Sequence, residues 1–79
     1  MSPLDQRIQK VFQEVFDNDG LQVHDGLAAA GMPDWDSLAQ VKLVVGLEEE
    51  FDVKFTTQEV ATLHSVSGLK AALRDKGVA

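Results

Sequence analysis

The chain has 79 residues, 44% hydrophobic and 25% charged, with six glycines and two prolines, which suits one small domain over residues 1–79 and leaves no room for a second. It contains no cysteine, which excludes a disulfide-stapled fold and any cysteine-ligated zinc or iron–sulfur site. Thirteen acids against seven bases give a net charge of −6, an unfavourable field for nucleic acid or an anionic membrane surface.

The segment Met1-Ser2-Pro3-Leu4-Asp5 lacks the basic and apolar regions of a signal peptide, and no apolar run approaches the roughly 20 residues that insert across a bilayer, so a soluble, cytoplasmic protein is expected. From Leu4 to Phe16 the apolar residues Leu4, Ile8, Val11, Phe12, Val15 and Phe16 recur at helical spacing and form one inward stripe. Ser2 is suited to cap this helix, with Pro3 at its first position and Asp5 near the positive dipole end. Residues 17–36 then carry no sustained period. A connection this long tends to be functional, and Leu21, Val23 and Leu27 suggest that it lies across the helices. Leu27-Ala28-Ala29-Ala30 has the composition of one helical turn before Gly31.

Ser37 to Phe51 is a second helix with two apolar faces. At about 100° per residue, Leu43, Val44, Leu47 and Phe51 make the stripe that must enter the core. Leu38, Val41 and Val45 make another stripe well away from it, continued by Glu48, Glu49 and Asp52. An apolar strip rimmed by acid has the character of a docking surface; burial of the strip under the long loop is the alternative. Asp52-Val53-Lys54-Phe55 reads as an extended link. Thr56-Thr57-Gln58-Glu59 is a capping box opening a short helix from Thr57 to about Leu63. Ser65 caps a last helix with Val66, Leu69, Ala72 and Leu73 inward, stopped by Gly77. The expected fold is all-α: a four-helix bundle with three longer helices, a short third helix and a long first loop.

Intrinsic catalysis finds little support. Trp35-Asp36-Ser37-Leu38-Ala39 lacks the glycines of a nucleophile elbow, and the two histidines, His24 and His64, fall on surface segments. Metal binding is no better served: aligning Gly20 of Asp17-Asn18-Asp19-Gly20 with the turn glycine of a calcium loop puts Val15 where the first carboxylate belongs. No lysine or arginine lies between Lys10 and Lys42, where Glu14, Asp17, Asp19, Asp25, Asp34 and Asp36 all lie, so the loop and the second helix's start present a negative field that steers basic partners.

Ser37 admits two readings. Ser37-x-x-Gln40 fits a capping box, and spacing alone favours this plain cap. Asp36 is equally able to cap, leaving Ser37 at the first helical position with its hydroxyl outward, as an attachment point beside free N–H groups and the positive dipole end. Trp35 reads as an aromatic lid on the end of the bundle in preference to a substrate contact.

Asp36-Ser37-Leu38, followed by Val41-x-Leu43-Val44-x-x-Leu47-Glu48-Glu49-Glu50-Phe51, resembles the acyl carrier protein family, and the likeness extends over nearly the whole chain. The resemblance implies that Ser37, beside Asp36, carries 4′-phosphopantetheine, installed from coenzyme A by a phosphopantetheinyl transferase that uses magnesium. Acyl groups would ride on its thiol as thioesters. It implies a monomeric carrier, with catalysis left to acyl-loading and acyl-processing enzymes whose basic patches dock on Leu38, Val41, Val45, Glu48 and Glu49. It also implies an acyl pocket lined or bordered by Leu43, Leu47, Phe51, Ala61 and Leu63. An unmodified helical interaction module with the same fold is the alternative. Ala39, Gln40 and Lys42 replace the acids that many fatty-acid carriers have early in this helix. With Trp35 and Lys54-Phe55-Thr56-Thr57, they lean toward discrete carriers of specialised pathways, such as polyketide, nonribosomal peptide or unusual fatty-acid synthesis.

Overall fold

In a computed structural model, which describes residues 3–78, the stripe beginning at Leu4 winds into α1, Pro3–Val15. Leu4, Ile8, Val11 and Phe12 are its buried residues. The cap expected at Ser2 lies outside the described residues. The chain turns at Asp17 in the left-handed region (φ 49°) and enters the long connection. Two α1 glutamines hold that connection down: the Val23 N–H donates to Gln9 Oε1, and Gln13 Nε2 donates to the Leu21 carbonyl, each at 3.0 Å. Val23 is buried, with Leu21 and Leu27 half-buried beside it, so the loop does cross the helices as its apolar residues suggest. It contains one 3-10 turn, Ala29–Gly31.

Helix α2, Ser37–Phe51, buries Ala39, Leu43, Leu47 and Phe51. It ends at Asp52 in the left-handed region, whose N–H donates to the Glu48 carbonyl. Close approach to α1 depends on Gly46, since a Cβ there would sit 3.0 Å from Val11 Cγ1. The same seam carries an ion pair from Arg7 Nε to Glu50 Oε2 at 2.9 Å, with the guanidinium 4.3 Å above the Phe51 ring. The Arg7 hydrogen bond, supported by Lys10, holds the Glu50 carboxyl below its ordinary range.

Helix α3 is only Thr57–Val60, shorter than the expected run to Leu63. Its capping box is complete, with Glu59 N–H on Thr56 Oγ1 and Thr56 N–H on Glu59 Oε1. The difference lies at the exit, where Thr62 N–H and Leu63 N–H donate to the carbonyls of Glu59 and Val60 three residues back. This tightened turn delivers Leu63 into the core, fully buried, where a continued α-helix would rotate it elsewhere. Ser65 caps α4, Val66–Asp75, by accepting from the Gly68 N–H at 3.1 Å. A Cβ at Gly68 would lie 2.7 Å from the Thr62 carbonyl oxygen, so only glycine permits this fit. Val66, Leu69, Ala72 and Leu73 are buried. Lys70 is clamped between Asp25 and Asp5, and these hydrogen bonds, Asp25's first, raise its pKa above the ordinary lysine value.

The architecture is thus all-helical, with α1, α2 and α4 enclosing one apolar core and α3 beside it. No polar or charged residue is buried among those described, and no helix of the described residues is long and apolar enough to cross a membrane.

Candidate functional site

The N-terminus of α2 is built by Asp36. Its backbone is extended (φ −96°, ψ −171°), and its Oδ1 accepts the Ala39 N–H at 2.9 Å. Ser37 is therefore the first helical residue and not the cap, correcting the reading that spacing favours. The carboxylate at the cap also suits the positive end of the dipole. Ser37 is exposed, and helix geometry gives the N–H groups of Ser37 and Leu38 no intrahelical carbonyl.

Gln40, the supposed partner in a capping box, is used differently. Its Oε1 accepts the Trp35 indole N–H at 2.6 Å, and its Nε2 donates to the Leu63 carbonyl at 3.1 Å and the Val60 carbonyl at 3.4 Å. One side-chain amide thus joins the start of α2, the exit of α3 and the tryptophan. Trp35 is buried and meets Phe12 edge-on at 5.3 Å and Phe16 at 6.3 Å, the aromatic lid expected at this end of the bundle.

Beside Ser37 lies a depression of about 350 Å³ lined by Ala29, Trp35, Asp36, Ser37, Gln40 and His64. Its far wall is fixed by the Ala29 N–H donating to the His64 carbonyl at 2.7 Å and the Val66 N–H donating to the Leu27 carbonyl at 2.9 Å. An isolated antiparallel bridge joins Ala28 and Ser65 there. Gln40 and His64 were not singled out by sequence for this site. Nothing in a linear pattern brings residue 64 to residue 37, because the pairing of Ala28 with Ser65 is tertiary.

On the outer face of α2, Leu38, Val41 and Val45 are 64%, 61% and 46% exposed. The second stripe is therefore open, and the alternative that the loop covers it does not hold. Glu49 and Lys42 are exposed alongside. Glu48 is only half-exposed because its Oε2 accepts the Phe55 N–H at 2.9 Å, so it is committed to anchoring the link into α3. Of the residues expected to line or border an interior acyl pocket, Leu43, Leu47, Phe51 and Leu63 are in the core. Ala61 is exposed and does not line the interior: the tightened turn that buries Leu63 leaves it on the outside. Among the described residues, no group of three or more histidines and acids is placed to hold a metal ion.

A family model described as "Phosphopantetheine attachment site" matches residues 6–73. The fold is similar to the solution structure of holo acyl carrier protein from Geobacter metallireducens, with a TM-score of 0.80 and 33% identity, over 95% of this chain and 85% of that one. The acidic helical chain with its exposed first-turn serine therefore belongs to the phosphopantetheine-attachment family, whose members are carrier proteins, not enzymes, and bear the prosthetic group covalently.

Proposed function

We propose that Ser37 is the attachment residue, and that the chain carries acyl intermediates for enzymes of fatty-acid, polyketide or related biosynthesis, as a monomer in the cytoplasm. The observation that carries this reading is the exposed Ser37 on the first turn of α2, its side chain freed from capping by Asp36. The donor set fits a phosphodiester: a primary hydroxyl to esterify, two backbone N–H groups without helical partners, the positive end of a 15-residue helix and open space alongside. A separate transferase would join the Ser37 oxygen to the phosphate of 4′-phosphopantetheine, breaking the diphosphate bond of coenzyme A and releasing its nucleotide half.

The bound arm would supply a thiol, which this cysteine-free chain otherwise lacks. The protein's own residues would then position and present. Leu38, Val41 and Val45 offer the apolar docking strip, and Glu49 the charge that meets a partner's basic patch. Glu48 contributes mainly by holding the α3 link in place, while exposed Lys42 favours partners with an acid opposite it.

Intact mass after co-expression with a broad-specificity phosphopantetheinyl transferase tests the assignment. One phosphopantetheine unit is expected in the native chain and none in Ser37→Ala. No gain in the native chain would point to the unmodified interaction module.

A further inference from the structure

The depression next to Ser37 has one wall that the attachment role leaves unexplained. Four of its six lining residues, Trp35, Asp36, Ser37 and Gln40, surround the start of α2, and Ala29 and His64 close the opposite side. Asp36 brings a negative charge to this space, and His64 is the only residue lining it that can become positive. The backbone around His64 is pinned on both sides: the Leu63 carbonyl accepts from Gln40, and the His64 carbonyl accepts from Ala29. The imidazole is thus carried on a wall that hydrogen bonds hold in place, while residue 64 remains exposed.

The lysines and arginines are engaged or placed elsewhere. Arg7 and Lys10 pair with Glu50, Lys70 with Asp5 and Asp25, and Lys76 with Glu59. Lys42, Lys54 and Arg74 do not line the depression. Of the acids on the segments that carry the lining residues, Asp36 lines the depression and Asp34 lies two residues before it, while Asp25 is paired with Lys70 and Glu59 with Lys76. An anion placed beside Ser37 would therefore meet the α2 dipole, the repulsion of Asp36 and a single side chain able to offset that repulsion.

We propose that the depression seats the phosphodiester end of the arm, with His64 as its counter-cation. This rests on Ser37 being the attachment residue. The neutral histidine can donate one N–H to a phosphate oxygen, and the protonated form adds charge, so the contact strengthens as pH falls through the histidine range. Residue 64 would then bias the arm toward the bundle before any enzyme docks. A partner would have to displace that contact to draw the thiol outward.

NMR titration of the imidazole protons in the apo and fully loaded proteins, with loading verified by mass, tests the pairing. His64 should titrate about 0.5 pH unit higher in the loaded form, as expected for opposite charges a few ångströms apart in a largely aqueous setting. The difference should shrink at high salt. His24, which does not line the depression, should titrate alike in both forms. The phosphorus resonance should move with the same midpoint in the native protein and lose that inflection in His64→Gln, whose exposed position allows a folded variant. A confirmed mass gain with no His64 shift, or a phosphorus inflection that survives His64→Gln, would overturn the pairing while leaving the attachment at Ser37 intact. No mass gain at all would overturn both.

Discussion

Helices α1, α2 and α4 each bury four residues, whereas α3 buries none. The first three are fixed by apolar burial, the dominant favourable term in folding. The fourth is held by polar ties. Gln40 reaches its exit carbonyls, Glu48 accepts the Phe55 N–H before it, and Lys76 pairs with Glu59 at 2.9 Å while lying 5.3 Å from the Phe55 ring centroid. Burial is insensitive to small changes in pH and charge, but these ties are not. The candidate site lies on the seam between the two regimes: its serine stands on the rigid frame, and its opposite wall follows directly from the hydrogen-bonded segment.

The contrast predicts a graded series of responses. Leu47→Ala, in the frame, should cost about 2–5 kcal/mol in urea unfolding, a large fraction of the stability of a domain this small. A loss well below 1 kcal/mol would show that the frame is not held by that stripe. Gln40→Leu should cost about 1–3 kcal/mol, because it strands the buried indole N–H and the Leu63 carbonyl, while the Val60 carbonyl keeps the Leu63 N–H. Hydrogen exchange should accelerate at the α3 exit much more than in α1, and uniform acceleration would mean that the two regimes are one.

Acid should separate the regimes without mutation. The Thr56 backbone N–H, with help from Lys76, holds the Glu59 carboxyl below its ordinary value of 4.5. A depressed carboxyl stabilises the fold above its unfolded pKa, and that contribution disappears as pH falls through the lower folded value. Protection around α3 should therefore fade at acid pH before protection in α1 does, and Glu59→Gln should flatten that dependence. Glu50, also depressed, belongs to the frame and adds to the overall acid loss.

The smallest stability effect is expected at Glu49→Lys. It should leave unfolding nearly unchanged, yet slow association with a basic partner and weaken the salt dependence of that association. Glu48→Lys should impair association and also loosen the α3 link. Equal unfolding curves for the two variants would contradict the division of labour between these neighbours.

The frame was legible because helical periodicity survives in a linear string: Leu4, Ile8, Val11 and Phe12, or Leu43, Leu47 and Phe51, reveal their shared faces by spacing alone. The local caps at Thr56 and Ser65 were legible for the same reason, since each partner is three residues away. The cap of α2 was not, because Asp36 and Ser37 both satisfy local rules. What separates them is the fold around them: Trp35 is buried, and Gln40 is drawn toward the indole and α3. The fate of Ala61, the division between Glu48 and Glu49 and the approach of His64 to Ser37 likewise depend on chain segments meeting across long separations. Helical periodicity does not encode those meetings.

The Gln40 amide has a practical corollary. The chain contains one tryptophan and no tyrosine, and its indole N–H donates to the same Gln40 amide whose nitrogen donates to the carbonyls at the exit of α3. Any displacement of α3 that pulls on Gln40 changes the polarity at the ring's nitrogen. The single tryptophan is therefore a built-in optical gauge of the α3 seam, read from native ultraviolet emission without a label.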